Sequence, residues 1–100
     1  MNSQSRSATE TSRATVNTVH ASRYLQQLCK HWAHKFETEY DSVKGRIALP
    51  LGEARLTAEP ESLVIDLATE DAASLATLRE VVASHIERFA FRETLRFDWT

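Results

Sequence analysis

Apolar residues recur along the chain at helical spacing in two segments. From about His20 to Lys35 they return every three or four residues, at Ala21, Tyr24, Leu25, Leu28, Trp32 and Phe36. This period places them on one face of an amphipathic helix. A second helix is predicted from about Asp71 to Ala90, and its acidic start, Glu70 and Asp71, suits the positive end of a helix dipole.

Between the two helices, apolar and polar residues alternate instead. The alternating segments are FETEY (36–40), KGRIALP (44–50), EARLTA (53–58) and SLVIDLA (62–68). This pattern is typical of antiparallel strands with one face in water, and the short connections DSVKG, PLG and EPES are suited to hairpins. ATVNT (14–18) predicts an edge strand before the first helix, and LRFDW (95–99) predicts a last strand.

The predicted order is therefore β-α-β-β-β-β-α-β, an α+β fold with both helices packed on one face of an antiparallel sheet. This order resembles the TATA-binding-protein repeat and, more loosely, helix-grip folds; the resemblance concerns topology and implies no shared function. Residues 1–12 have too few apolar side chains to offset the entropy of ordering and are predicted to be a disordered tail. Residues 13–100 are predicted to form a single domain.

The net charge is −2, which argues against a nucleic-acid binder because such proteins usually need a basic surface. The distribution is uneven, since no acid occurs from Thr11 to Phe36 while Arg13, Arg23, Lys30 and Lys35 do. This bias predicts a local patch that attracts anions, or, more simply, a solvated basic helix face.

The single cysteine, Cys29, rules out an intrachain disulfide. No apolar run has the length of a transmembrane helix, and the N-terminus has no apolar segment of the secretory type. We therefore expect a cytoplasmic protein that does not bind a membrane.

The segment LCKHWAHKF concentrates residues that often bind metals, but helical geometry separates them. Cys29 falls on the opposite flank of the helix from His31 and His34, so the three cannot share a metal. The two imidazoles alone are fewer than the three or four ligands that zinc requires. No metal or cofactor is predicted, and the simpler interpretation is favourable positive charge at a helix C-terminus.

His85 falls within the apolar stripe of the second helix, where a polar ring needs a hydrogen-bond partner. Tyr24, His31, a backbone carbonyl or a ligand could supply it, and a satisfied core histidine is the simplest interpretation. Arg88 lies one turn further on and can present its guanidinium to an anion. The candidate ligand-binding residues are therefore His31, His34, His85 and Arg88.

Three stretches, HASRYLQQLCKHWAHKF, GRIALPLGEARL and VVASHIERFAFRETLRFDW, give residues 13–99 a resemblance to a bacterial family known as domain of unknown function 2218. The resemblance implies a small cytoplasmic bacterial protein without an established activity, so no catalytic residue can be carried over. It also implies a connection to iron or siderophore handling, because related domains are fused to flavin-containing siderophore-interacting proteins. This chain has no room for a flavin domain and no glycine-rich phosphate loop.

Two functions remain open from the sequence. The first is a binding or accessory domain for a small anionic ligand, such as an iron chelate. The second is a protein-interaction module in which an exposed edge, residues 14–18 or 94–99, pairs with another chain or with itself as a homodimer. An enzyme is the least supported class, because the chain has no nucleophile elbow, zincin motif or P-loop, and no catalytic residue is predicted.

Overall fold

Strands and helices follow one another in the order β-α-β-β-β-β-α in the computed structural model, which describes residues 10–100. The elements are β1 (Glu10–Asn17), α1 (Ala21–Trp32), β2 (Thr38–Tyr40), β3 (Lys44–Leu49), β4 (Gly52–Glu59), β5 (Ser62–Thr69) and α2 (Ala72–Phe89). The strands form one antiparallel sheet in the order β1-β5-β4-β3-β2. The predicted α+β class is confirmed, and so is the order of its first seven elements.

One face of the sheet carries the core, because alternate side chains along each strand point to the same side. Leu56 of β4 lies opposite Ile65 of β5, which in turn lies opposite Ala14 of β1, and all three side chains are buried. Helix α1 contacts β2 to β5, α2 contacts β1, β4 and β5, and the two helices contact each other. Both apolar stripes are therefore buried side by side on this face, as predicted.

The two helices begin differently. Asp71 caps α2, because its carboxylate accepts the backbone N–H of Ser74 at 2.7 Å, and bonds of this kind lower the pKa of Asp71. Helix α1 has no side-chain cap, although Thr18 accepts the backbone N–H of His20 at 3.0 Å. No helix within residues 10–100 combines the length and the hydropathy needed to cross a bilayer.

Several predicted boundaries were wrong. Helix α1 ends at Trp32 instead of Lys35, because the backbone N–H of Lys35 bonds the carbonyl of Trp32, three residues earlier, and departs from the α-helical pattern of bonds to the fourth residue back. Strand β1 begins at Glu10, so residues 10–12 of the predicted tail belong to the sheet, and residues 1–9 lie outside the described residues. The buried position there is a serine, Ser12, which hid the alternation from the sequence pattern.

The predicted last strand at residues 95–99 is absent, since residues 90–100 form no regular element. Leu95 is buried, and Phe97 and Trp99 are half-buried against the core. Within residues 90–100, only Thr100 pairs with the edge of β1, exchanging two backbone hydrogen bonds of 2.9 and 3.3 Å with Arg13. Alternation of apolar and polar residues indicates an extended segment with one buried side, whereas a strand also needs a continuous ladder of backbone hydrogen bonds.

Gly45 of β3 is required by close packing, and its substitution tests how tightly α1 lies on the sheet. A Cβ atom at this position would lie 2.7 Å from the Cys29 Sγ and 3.3 Å from the Leu25 side chain. We expect Gly45→Ala to lower the free energy of unfolding by about 1–3 kcal/mol, measured by chemical denaturation. In a Cys29→Ala background the loss should be much smaller, and an equal loss in both backgrounds would contradict this explanation.

Candidate functional site

Four rings meet where α1 and α2 lie side by side, and we call His31, Trp32, His85 and Phe89 the ring cluster. The centroid of the His85 ring lies 4.8 Å from that of Trp32 and 5.2 Å from that of His31. The His31 ring also meets the edge of Phe89 at 6.2 Å. The cluster therefore joins the two helices, and it brings together two of the predicted site residues, His31 and His85.

His85 is half-buried and finds its hydrogen-bond partner within its own helix. Its Nδ1 lies 2.7 Å from the carbonyl oxygen of Val81, one turn earlier. A carbonyl can only accept, so Nδ1 carries the proton and, in the neutral ring, Nε2 is left as an acceptor. Of the predicted partners, the backbone carbonyl is therefore the one used. No side chain within residues 10–100 hydrogen-bonds to Nε2.

The other predicted residues surround this ring at the surface. His31 and Arg88 are exposed on α1 and α2, and His34 is exposed in the turn that follows α1. Partial desolvation lowers the pKa of His31, and repulsion from nearby cationic side chains, Arg88 and Lys35, and from the neighbouring imidazoles lowers it further. All four predicted residues thus lie on one surface, although His34 makes no ring contact within the described part of the chain.

This surface is cationic because the acidic side chains of the two helices do not point towards it. Helix α1 contains no acid. On α2, Glu80 and Glu87 fall roughly 140° and 160° around the helix from His85, whereas Arg88 falls roughly 60° away. Among the described residues Arg88 and Lys35 form no salt bridge with an acid. The exposed charge of the surface is therefore free to attract an anion.

The opposite face of the sheet has a different character, since its charges are paired. Arg13 bonds Asp66 at 2.6 Å, and Glu53 accepts from both Arg46 and Arg55. The exposed pair of Arg13 and Asp66 contributes roughly 0–1 kcal/mol to stability. These pairs leave this face without an excess of either charge.

Cys29 is held away from the ring cluster. Its buried Sγ faces Gly45 of β3, and burial raises its pKa to about 11, so the thiol stays protonated near neutral pH. Within residues 10–100, no group of three or more histidine, cysteine, aspartate or glutamate side chains is arranged to hold a metal ion.

A second polar cluster, missed by the sequence analysis, lies near the start of α1. The Tyr24 hydroxyl donates a hydrogen bond of 2.5 Å to the Glu93 carboxylate, and the Thr18 hydroxyl donates one of 2.8 Å to the same oxygen. Burial, followed by the bond to Glu93, raises the pKa of Tyr24 to about 12. Tyr24 and Glu93 are 69 residues apart along the chain, and no spacing pattern in the sequence connects them.

The fold and the site together define a class of protein. It is an α+β domain with two helices on one face of an antiparallel sheet and a cationic, ring-lined surface between them. The chain belongs to a bacterial family described as "Uncharacterized protein conserved in bacteria (DUF2218)", whose model matches residues 13–100. It is also similar to PA4090 from Pseudomonas aeruginosa, solved by NMR. The two are 38% identical with a TM-score of 0.78, over 92% of this chain and 96% of the other. No curated protein matches, and neither of these names assigns an activity, a ligand or a connection to siderophores.

Replacing Tyr24 by phenylalanine tests the hydrogen bond to Glu93. The variant removes a donor from a carboxylate, so we expect the free energy of unfolding to fall by about 1.5–3 kcal/mol near neutral pH. Chemical denaturation measures the change. Tyr40→Phe is the matched control, because Tyr40 is exposed and its hydroxyl has no partner within residues 10–100.

The effect should also depend on pH. The bond from Tyr24 lowers the pKa of Glu93 in the folded state. The stabilisation that this bond gives the folded protein is therefore complete above the ordinary carboxyl pKa. That contribution is lost as the pH falls through the lowered value. The difference between wild type and Tyr24→Phe should therefore shrink in acid, and a difference that stays constant with pH would argue against a bond to the ionised carboxylate.

Proposed function

We propose that this protein is a non-enzymatic binding domain that holds a small anionic ligand, such as an iron chelate, on the surface where α1 meets α2. The main support is the meeting of the ring cluster with unpaired positive charge. His31 and His85 lie 5.2 Å apart beside Arg88, and no acid of either helix lies on the same side. Flat rings that provide contact area and a few convergent polar groups are typical of small-molecule sites.

Each group in the site has a distinct role in this proposal. Arg88 pairs through its guanidinium with a carboxylate or another oxyanion of the ligand, which its planar fork of donors suits. The Nε2 atom of His85 faces the ligand because Nδ1 is already occupied by the Val81 carbonyl, and Nε2 donates to an oxyanion when the ring is protonated. His31 and His34 add positive charge when protonated.

An iron chelate fits this chemistry because the chelator, not the protein, supplies the ligands to iron. The protein then needs to recognise only a negatively charged, oxygen-rich exterior. A site made of one arginine, three imidazoles and aromatic rings can do so without a metal-binding cluster. The family resemblance supports the choice of iron by association alone.

Ferric citrate is the probe that tests the proposal, with Trp32 as the reporter. The ring centroids of Trp32 and His85 lie 4.8 Å apart, so a bound ferric complex should quench the fluorescence of Trp32. A Trp99→Phe background leaves Trp32 as the only tryptophan. We expect saturable quenching and about a tenfold loss of affinity in Arg88→Gln, as for loss of one charged hydrogen-bonded pair. Arg55→Gln makes the same charge change on the opposite face of the sheet and should have no effect.

Two further comparisons decide the nature of the ligand. Affinity should rise as the pH falls through the lowered pKa of His31, because protonation adds positive charge that favours an anion. Gallium citrate should compete with ferric citrate, whereas citrate without metal should compete weakly. Absence of saturable binding of ferric citrate and of a ferric catecholate, or equal losses in Arg88→Gln and Arg55→Gln, would refute the proposal.

A protein-interaction module is the second candidate, and the free edge of β1 favours it. The backbone N–H and C=O groups of Arg13 point away from the sheet and pair with Thr100. The backbone groups of Thr15 and Asn17 point the same way, because these groups alternate in direction along a strand. The outward backbone groups of Thr15 and Asn17 have no backbone hydrogen-bond partner among residues 10–100. The other predicted edge, residues 94–99, is not a strand, and its apolar side chains pack on the core.

If β1 mediates self-association, sedimentation at high concentration should show a dimer. Thr15→Pro should remove that dimer because proline lacks the outward N–H donor. Thr57→Pro is unsuitable as a control, since β4 is an inner strand, so Ser3→Pro in the N-terminal segment serves instead. A monomeric mass for the wild type at every concentration would exclude pairing between copies of this chain.

A further inference from the structure

We infer a second binding site, for a monocyclic aromatic carboxylate, in a pocket between the start of α1 and the loop that follows α2. Arg23 and Tyr24 of α1 line one side of it, and Phe91, Arg92 and Glu93 of the loop line the other. The site is separate from the proposed anion site, whose charged groups are His31, His34, His85 and Arg88. Phe89 contacts both regions.

The size of the pocket limits the ligand to one ring. Its volume is about 150 Å³. A protein cavity of about this volume accommodates a single benzene molecule. The pocket opens to solvent, and only part of a bicyclic ring system or a nucleoside would lie within its walls. The ligand class is therefore a compact, single-ring compound.

The walls of the pocket favour an aromatic ring over an aliphatic one. Phe91 is 78% exposed, although a phenyl ring ordinarily gains from burial. The Arg92 guanidinium lies 5.3 Å from the centroid of the Phe91 ring, and the rings of His20 and Phe89 also line the pocket. A flat ligand ring can stack on these surfaces and cover part of the exposed phenyl group.

The charges of the pocket favour an anion. Arg23 and Arg92 form no salt bridge with any described residue. The one acid, Glu93, already accepts hydrogen bonds from Tyr24 and Thr18 on a single oxygen, so its charge is partly compensated within the protein. Two arginines against one compensated carboxylate leave a net positive lining, and a guanidinium binds a carboxylate through paired hydrogen bonds.

The loop that forms one wall is held in place before any ligand arrives. Glu93 is tied to α1 through Tyr24, and its backbone N–H bonds the Ala90 carbonyl at 3.2 Å. Residues 90–93 therefore form a fixed turn against α1. A wall that is already ordered reduces the entropy cost of binding.

Benzoate is the probe, and ¹H–¹⁵N NMR of the full-length protein is the measurement. We expect saturable shifts at Arg23, Phe91 and Arg92. Benzylammonium has the same ring and the opposite charge and should bind at least about tenfold more weakly, and cyclohexanecarboxylate should also bind more weakly than benzoate. Tighter binding of benzylammonium, or no saturable shift up to the solubility limit of benzoate, would overturn the inference.

Variants at exposed arginines separate this pocket from the proposed anion site. Arg92→Gln should weaken benzoate about tenfold and leave the binding of ferric citrate unchanged. Arg88→Gln should do the reverse. Both side chains are exposed, and the NMR spectrum itself reports whether each variant is folded. Equal effects of the two variants on benzoate would show nonspecific attraction to positive charge and would overturn the inference.

Discussion

The burial of two apolar helix stripes on a single sheet face is the constraint on which the rest of this structure depends. The floor of that core is formed by β4 and β5, where Leu56, Leu63, Ile65 and Leu67 are almost completely buried. Each buried aliphatic side chain of this size contributes roughly 1.5–3 kcal/mol to stability. A five-stranded sheet is too wide for one helix to cover, so α1 and α2 lie side by side and a seam forms between them.

Both proposed sites follow from that seam. The ring cluster fills it where α1 ends, and the aromatic-lined pocket opens where α1 begins and α2 has ended. Positive charge collects along it because α1 contains no acid and the acids of α2 lie on its other side. The opposite face of the sheet, by contrast, pairs its charges internally, as Arg13 does with Asp66. Because of this asymmetry, both proposed sites lie on the helical side of the sheet.

The candidate site was partly predictable because helical periodicity reports angles around an axis. That periodicity placed His85 within an apolar stripe with Arg88 at its edge, and it separated Cys29 from His31, as the structure has them. The link between Tyr24 and Glu93 was not predictable, since it joins the first helix to a loop that carries no periodic signal. The positions of Phe91 and Arg92 were not predictable for the same reason, because their proximity to Arg23 depends on how that loop folds back.

The sequence by itself determined the two helices, the alternating strands and the face each one buries, because these follow from hydrophobic periodicity within short segments. Only the tertiary structure decided that residues 90–100 stay irregular although Leu95, Phe97 and Trp99 alternate, since a strand requires a partner whose backbone groups align. It also decided that the polar side chain Ser12 lies in β1, because its position is set by pairing with β5. Local pattern fixes which side of a segment is buried, whereas long-range packing fixes which segments meet.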